Sequence, residues 1–485
     1  MIVQILWYDY ETSGRDPAAD RVIQMGWQLT DPAMEPLGDP DAQLVRLPDD
    51  VLPSPGALLV HQIAPEMHQR DGITEAELAV KLDQLIAPKT LVGGYNSRRF
   101  DDRFTQHIFY RSLFDPYRWQ FSEGRGRFDL YPVVLVFYVM APEAIHWPED
   151  ADGRPRFKLD RIGPLNQLDA GIQRAHDAGS DVMMTARLAR ALALHYPDLF
   201  ADCLRMIDKH HVTDVIRGSG RTEGLLEVTA FGGWESGYTR DLWIPFRISE
   251  HSNDYVAFDL NQDPETVLAG LQQLTENPLE AAELSRALRE LGVHTIRTNS
   301  QPMLFRRDLL DAEVTRRLQA FGRDVDQQNT HRDLWHHIQE SPAFKQLYQL
   351  VISLIAPSDP ATPDDVDFML YGGPFLSDHD KALLAECPRL DADKLKSYAP
   401  AFEDARYPEL VFRYRARNFP SSLSPGEWRQ WQQRRRAKLI EGDRGVTSAR
   451  IHDELNEISA REDLLPHQVE LLSEYVQWLD AQPPL

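Results

Sequence analysis

The sequence predicts an α/β domain first, then a smaller α+β domain built on an antiparallel barrel or sheet, then an all-α region. Three observations carry this. Strand-like apolar runs alternate with helical ones up to about residue 195, the pattern of an α/β layer. Residues 225–260 are rich in Val, Thr, Trp, Phe and Gly with turn signals between them, which favours short antiparallel strands. Pro357, Pro360 and Pro363 then interrupt the chain; proline cannot continue a helix, so residues 356–363 read as a linker. Beyond residue 377 apolar residues recur at helical spacing, as in Val469, Leu472, Val476 and Leu479. The expected domain bounds are 1–197, 198–355 and 356–485, in keeping with about 150 residues per domain.

Within the first domain, residues 2–10 read as a strand and 22–30 as its hairpin partner, and a helix over 75–86 leads to a later strand at 91–95. Helices are expected over 102–113, 130–140 and 178–195. In the middle region, helices at 264–275, 278–291 and 332–355 decorate the antiparallel strands, with one more strand at 294–297.

Composition narrows the function classes. The chain is 42% hydrophobic and 26% charged with no low-complexity tract, as in a globular protein rather than a disordered one. The N-terminus lacks a basic segment, and Asp9 and Glu11 interrupt its apolar run, so no secretory leader is expected. The longest apolar stretch, around 133–140, is too short to span a bilayer, and a cytoplasmic protein is expected. Cys203 and Cys387 lack zinc-site spacing and read as buried thiols. A net charge of −23 argues against phosphate binding by the whole surface but leaves room for a local basic groove. Residues 411–438 hold seven Arg and one Lys against the single acid Glu427, interleaved with Phe412, Tyr414, Phe419, Trp428 and Trp431. That mixture suits tracking of a single nucleic-acid strand, although the aromatics also lie at core-packing helical spacings.

Three short segments carry the chemistry. Asp9 and Glu11 are two apart on a strand, so both carboxylates project from one face. Two adjacent acids repel unless a cation lies between them, and oxygen donors suit a hard divalent ion such as Mg²⁺. Alone, such a pair is more often a polar strand end before a turn, here Ser13-Gly14. Asp101 stands where a strand end meets a helix start, and alone it would be a helix N-cap. His176 precedes a helix that Asp177 would cap, with Asp181 one turn inside it; a surface helix would look the same.

Taken together, Asp9, Glu11, Asp101, His176 and Asp181 resemble, in order and local context, the three motifs of the DEDDh 3′→5′ exonuclease superfamily, which has a ribonuclease H-like fold. Within it, the resemblance to the bacterial exonuclease I family spans nearly the whole chain. It includes Tyr8-Asp9-Tyr10-Glu11-Thr12, Pro53-Ser54-Pro55-Gly56-Ala57, Gly94-Tyr95-Asn96, Arg99-Phe100-Asp101-Asp102 and His146-Trp147-Pro148-Glu149. Far downstream it includes residues 412–420, Phe-Arg-Tyr-Arg-Ala-Arg-Asn-Phe-Pro. Departures are Ser13, Gly179-Ser180 and a weakly matching middle region.

The resemblance implies an SH3-like middle domain, a helical C-terminal domain, and hydrolysis of single-stranded DNA from a free 3′ end to 5′-mononucleotides. It implies two Mg²⁺ ions, with Mn²⁺ a possible substitute: one held by Asp9, Glu11 and Asp181, the other supported by Asp9 and Asp101, with His176 as general base. Glu11 would lie near the terminal 3′ hydroxyl and Lys158 on substrate phosphate, while Arg415 and Arg417 are the cations of the basic window expected to face DNA. A role in DNA repair or recombination, docking of the acidic C-terminal tail of single-stranded DNA-binding protein on the middle region, and a monomer are also implied. The five catalytic residues do not themselves select deoxyribose over ribose, so a DEDDh exoribonuclease or oligonucleotide hydrolase stays open. So does a catalytically silent single-stranded DNA-binding scaffold.

Overall fold

A computed structural model describes residues 2–170, 178–219, 224–355, 363–442 and 445–481. His176, Asp177 and linker residues 356–362 lie outside the described residues. The chain forms two compact units, Met1–Arg127 with Gln167–Arg190 and Pro360–Leu485, and Phe128–Asn166 with Ala191–Asp359. Both are discontinuous in sequence, so neither coincides with one of the three consecutive stretches expected.

The first unit is built on a five-stranded sheet of β1 (Gln4–Thr12), β2 (Val22–Thr30), β3 (Asp41–Leu44), β4 (Thr90–Gly94) and β5 (Gly126–Asp129), in the order β3-β2-β1-β4-β5. β1 pairs antiparallel with β2 and parallel with β4, so the sheet is mixed. The parallel step requires a crossover, and the helix Glu75–Leu85 supplies it, opened by a capping box between Thr74 and Glu77. Central position explains the residues of β1: Ile5, Leu6, Trp7 and Tyr8 are all buried, as in a strand covered on both faces. Leu6, Tyr8 and Tyr10 pack with Leu78, Leu82, Val92, Phe104 and Ile108 in one core.

The C-terminal part of this unit is helical, as expected. Leu395, Tyr407, Leu410 and Val411 pack with Tyr110 and Leu113 of the N-terminal segment, and Ile451, Tyr475 and Trp478 pack with Leu58. Here the basic window departs from expectation. Arg417 pairs with Asp50 at 2.8 Å and Asp367 at 2.6 Å, Arg434 reaches Asp367 at 2.9 Å, and Lys438 reaches Asp50 at 3.1 Å. Burial alone would raise the Asp50 and Asp367 carboxyls, but Arg417 with Lys438 or Arg413 outweighs it and holds both well below the usual range.

The second unit carries an antiparallel five-stranded sheet of β6 (Leu225–Val228), β7 (Thr239–Arg247), β8 (Asp254–Asp259), β9 (Val293–Arg297) and β10 (Met303–Arg306), ordered β10-β6-β7-β8-β9. Its core joins Trp243 and Phe258 to helices Pro264–Glu276, Val325–Glu340 and Ala343–Ile355. Trp335 stacks on Trp243 with ring centroids 5.0 Å apart. The single helix expected over 332–355 is two, because Pro342 cannot donate into a continuous helix. Helix Leu130–Met140 is expected in the first layer; instead it packs against β6 and β10. It is apolar nearly all round and buried over most of its surface, with Tyr131, Pro132, Tyr138 and Met140 half-buried. Among the described residues no helix is long and apolar enough to cross a membrane.

Candidate active site

Strand alternation sets the site. On β1, Tyr8 and Tyr10 point into the core, so Asp9 and Glu11 share the opposite, half-buried face. Helix Ala178–His195 carries Asp181 in its first turn, where the helix dipole favours a carboxylate. Two residues of β2 set that helix in place. The Ala178 N–H donates to Gln24 Oε1 at 3.2 Å. Gly26, paired with Asp9 in the ladder, lets the backbones meet: a Cβ there would stand 2.2 Å from the Ala178 carbonyl. The outcome is that one carboxylate oxygen from each of Asp9, Glu11 and Asp181 lies within 4.8 Å of the others.

Asp101 arrives differently. After β4 the chain turns through Asn96, at φ +59°, into a short 3₁₀ turn, Ser97–Arg99. Gly94 permits this, since a Cβ would lie 2.7 Å from Ser97 Cβ. Helix Asp101–Arg111 follows. Asp101 is its first residue rather than its N-cap, and its Oδ1 accepts from the Tyr10 N–H at 3.1 Å. It is thus tied to the residue between the two strand acids, outside the three-carboxylate cluster. Beneath, the Tyr8 hydroxyl donates to Asp102 at 2.6 Å, Arg127 pairs with Asp102 at 3.2 Å, and Tyr10 meets Thr105 at 3.0 Å. Burial, then the neighbouring Asp102, pushes the Tyr8 hydroxyl well above its usual range; burial does the same for Tyr10. Both stay protonated and lock β1 to the helix.

The structure therefore brings Asp9, Glu11 and Asp181 together with Asp101 beside them, while His176 lies outside the described residues. Lys158 belongs to the second unit, exposed at the N-cap of helix Leu159–Leu165. Arg415 and Arg417 do not face solvent. Arg415 is 2% exposed and pairs with Glu427 at 2.8 Å, and Arg417 is held by Asp50 and Asp367. Their charge is spent on internal carboxylates, which corrects their expected placement against DNA. Sequence reasoning missed Gln24 and Gly26; the available signal was a glycine inside the otherwise bulky run Met25-Gly26-Trp27, which marks close backbone approach.

Comparison with known proteins agrees with this geometry. The exonuclease family profile matches residues 6–189, and that of the exonuclease I C-terminal domain matches 364–482. The exodeoxyribonuclease I of Escherichia coli K12 is 33% identical over 443 residues, 89% of each chain. The chain belongs to the exonuclease I family. It is accordingly a nuclease, a hydrolase of phosphodiester bonds, with an exonuclease domain on a mixed sheet and an exonuclease I C-terminal domain. Solved structures of exonuclease I align over 99% of both chains: the moderately thermophilic enzyme of Methylocaldum szegediense at 32% identity and TM-score 0.88, the zinc-bound E. coli complex with single-stranded DNA at 29% and 0.84, and an SSB/exonuclease I complex with an inhibitor at 30% and 0.82. Three clustered carboxylates form an all-oxygen donor set that fits a divalent cation, in line with the metal dependence of the exonuclease family.

Proposed function

We propose that this exonuclease hydrolyses single-stranded DNA from the 3′ end, releasing 5′-mononucleotides with Mg²⁺. The observation that carries the reading is the convergence of Asp9, Glu11 and Asp181 within 4.8 Å, with Asp101 anchored on Tyr10 between the strand acids. In this reading Asp9, Glu11 and Asp181 hold one ion, and Asp9 with Asp101 supports a second. Bound there, Mg²⁺ would neutralise charge building on the phosphate and make water a better nucleophile. A ring nitrogen of His176 takes the proton of the attacking water, a task suited to imidazole at neutral pH. Glu11 receives the terminal 3′ hydroxyl, which confines attack to the strand end, and Lys158 contacts substrate phosphate.

The antiparallel sheet of the second unit is read as the SH3-like domain. Beside it, the segment 307–332 lines a cleft of about 300 Å³ with Arg307, Leu310, Leu318, Arg323 and Arg332, of which Arg307 and Arg323 also pair with the buried Asp241. Guanidinium groups beside apolar side chains suit an acidic peptide, and we assign this cleft to the tail of single-stranded DNA-binding protein, a partner that the solved SSB/exonuclease I complex supports without locating it. A monomeric cytoplasmic enzyme of DNA repair is the corresponding cellular role.

The test is Mg²⁺-dependent digestion of a 5′-labelled single-stranded DNA oligomer, beside its duplex and RNA counterparts. The expected outcome is shortening from the 3′ end, reduced about 10³-fold or more in Asp9→Ala and in His176→Ala. Intact DNA, or faster loss of RNA, would overturn the substrate assignment.

A further inference from the structure

Two adjacent acids open helix Asp101–Arg111, and both are buried, Asp101 at 3% exposure and Asp102 at 1%. Of the two, the proposed function assigns an ion to Asp101 alone. The surroundings of Asp102 explain the division. Its Oδ1 accepts from the Tyr8 hydroxyl at 2.6 Å, and its Oδ2 accepts from Arg127 Nη1 at 3.2 Å. A buried carboxylate is tolerated when its oxygens are paired, and here both partners are side chains of the sheet. Asp102 therefore fastens the helix to two strands, β1 at the centre of the sheet and β5 at its edge.

That fastening bears on Asp101 through the first turn of the helix. Phe100 stands at the N-cap, and its side chain has no acceptor to offer the first N–H groups, so the turn is held from its inner side instead. The ladder between β1 and β4 ends at Trp7 and Gly93, and beyond it the Tyr10 N–H donates to Asp101 Oδ1 at 3.1 Å. On the inner face of β1, Tyr8 and Tyr10 meet edge to face with centroids 5.1 Å apart. Their hydroxyls reach the helix about one turn apart, Tyr8 at Asp102 and Tyr10 at Thr105, 3.0 Å away. The Thr105 hydroxyl donates in turn to the Asp101 carbonyl at 3.1 Å, a back-bond across one turn. Side chain and backbone of Asp101 are thus both tied to β1, and Asp102 closes the set.

We propose that Asp102 is a positioning residue for the reaction: gripped by Tyr8 and Arg127, it fixes the start of the helix so that Asp101 is presented to the second divalent ion, and it governs the affinity of that ion alone. The inference rests on the proposed function, which assigns the second ion to Asp9 and Asp101. Asp102 itself is barred from ligating, because Tyr8 and Arg127 occupy its oxygens. The first ion is untouched, because Asp181 rides on a different helix, seated by Gln24 and Gly26 of β2. The two halves of the site are therefore held independently, Asp181 through β2 and Asp101 through the tyrosines of β1. An ion pair that served stability alone would not distinguish one ion from the other.

The test counts bound Mn²⁺ from the electron paramagnetic resonance of the unbound ion. It uses the full chain with a DNA strand of about a dozen nucleotides, whose 3′-terminal linkages are phosphorothioates that resist hydrolysis. Wild type is expected to bind two ions, and Asp101→Asn and Asp181→Asn to show which is which. Asp102→Ala and Tyr8→Phe should weaken the Asp101 ion by about 10- to 100-fold, as loss of an outer partner does at metal sites, and leave the other ion within about twofold. Asp102→Asn, which keeps an oxygen for the Tyr8 hydroxyl, should recover most of the loss seen in Asp102→Ala. In digestion with Mg²⁺, Asp102→Ala and Tyr8→Phe should need more Mg²⁺ for half-maximal rate at an unchanged KM for DNA. Tyr8→Phe removes one hydroxyl and keeps the ring in the core, so it carries the test if circular dichroism shows Asp102→Ala unfolded. If folded variants bind both ions as wild type does, or lose both alike, the positioning role is overturned and Asp102 serves stability only. Wild type binding a single ion would overturn the two-ion reading and this inference with it, so the wild-type count tells the two failures apart.

Discussion

Asp9, Glu11 and Asp181 gather three carboxylates where each pair, 4.8 Å apart or less, repels by about 3.5 kcal/mol or more at an effective dielectric near 20. The fold tolerates this because Asp9 and Glu11 are fixed by the strand period and Asp181 by the seating of its helix. A divalent cation relieves the repulsion, so the site should be a metal-dependent element of stability as well as of rate. We expect Mg²⁺ to raise the thermal unfolding temperature of wild type by a few degrees at saturation, and Asp9→Asn to lose most of that increment. The variant should lose about 10³-fold or more in activity, yet without metal be at least as stable as wild type. A full metal-induced shift in Asp9→Asn, followed by scanning fluorimetry, would remove Asp9 from the ligand set. These acids were legible because their spacing is local geometry. Arg415 and Arg417 were not: the partner that turns Arg417 inward, Asp50, lies 367 residues away, and no local pattern distinguishes a paired arginine from one awaiting phosphate.

At the scale of elements, the approach of helix Ala178–His195 to β2 decides whether the site exists. Gly26 is where the two backbones touch, and a Cβ there would overlap the Ala178 carbonyl at 2.2 Å. Gly26→Ala must push the helix N-terminus outward and carry Asp181 with it. Displacements of about 1 Å in a catalytic group cost on the order of 10²-fold in rate, whereas overpacking costs about 1–3 kcal/mol in stability. The expected result is a loss of kcat of about 10²-fold or more in a folded protein, seen by activity alongside circular dichroism. Unchanged kcat would show that the helix is not seated by this contact. Long, regular elements such as β1, β2 and helix Ala178–His195 announce themselves in the sequence because burial imposes their period. β3, Asp-Ala-Gln-Leu, and β5, Gly-Arg-Phe-Asp, do not. Four mostly polar residues hold a strand only because a neighbouring strand offers its hydrogen bonds, and that offer is tertiary.

Across the whole molecule, the 52 basic and 75 acidic residues do not arrange themselves as a uniform surface. Part of the positive charge is internal, and several histidines are buried neutral. His61 and His68, on helices Pro55–His61 and Pro65–Asp71, are 3% and 0% exposed. Among the described residues, His61 Nε2 and both ring nitrogens of His68 have no hydrogen-bond partner. Burial, with His68 nearby, lowers His61 from 6.5 to about 3, and burial lowers His68 to about 4. Burial and then Arg111 lower His107 to about 3. Because these folded values lie below the unfolded one, the unfolded chain binds more protons below pH 6.5, and stability must fall as pH decreases from there toward 4. At pH 5 each group withdraws about 2 kcal/mol. Asp50 and Asp367, held well below the usual carboxylate range, keep their contribution until lower pH, where their protonation dissolves the ion pairs with Arg417. Acid unfolding should therefore begin on the histidines, between pH 6.5 and 5, before the Asp50 and Asp367 carboxylates titrate. The unfolding temperature should change little between pH 7 and 8 and drop steeply below 6.5, and His68→Leu, which replaces an unsatisfied imidazole by an apolar side chain, should make that drop shallower while leaving the loss below pH 4 intact. An unfolding temperature independent of pH from 7 to 5, or a His68→Leu curve parallel to wild type, would show that acid attacks this fold elsewhere.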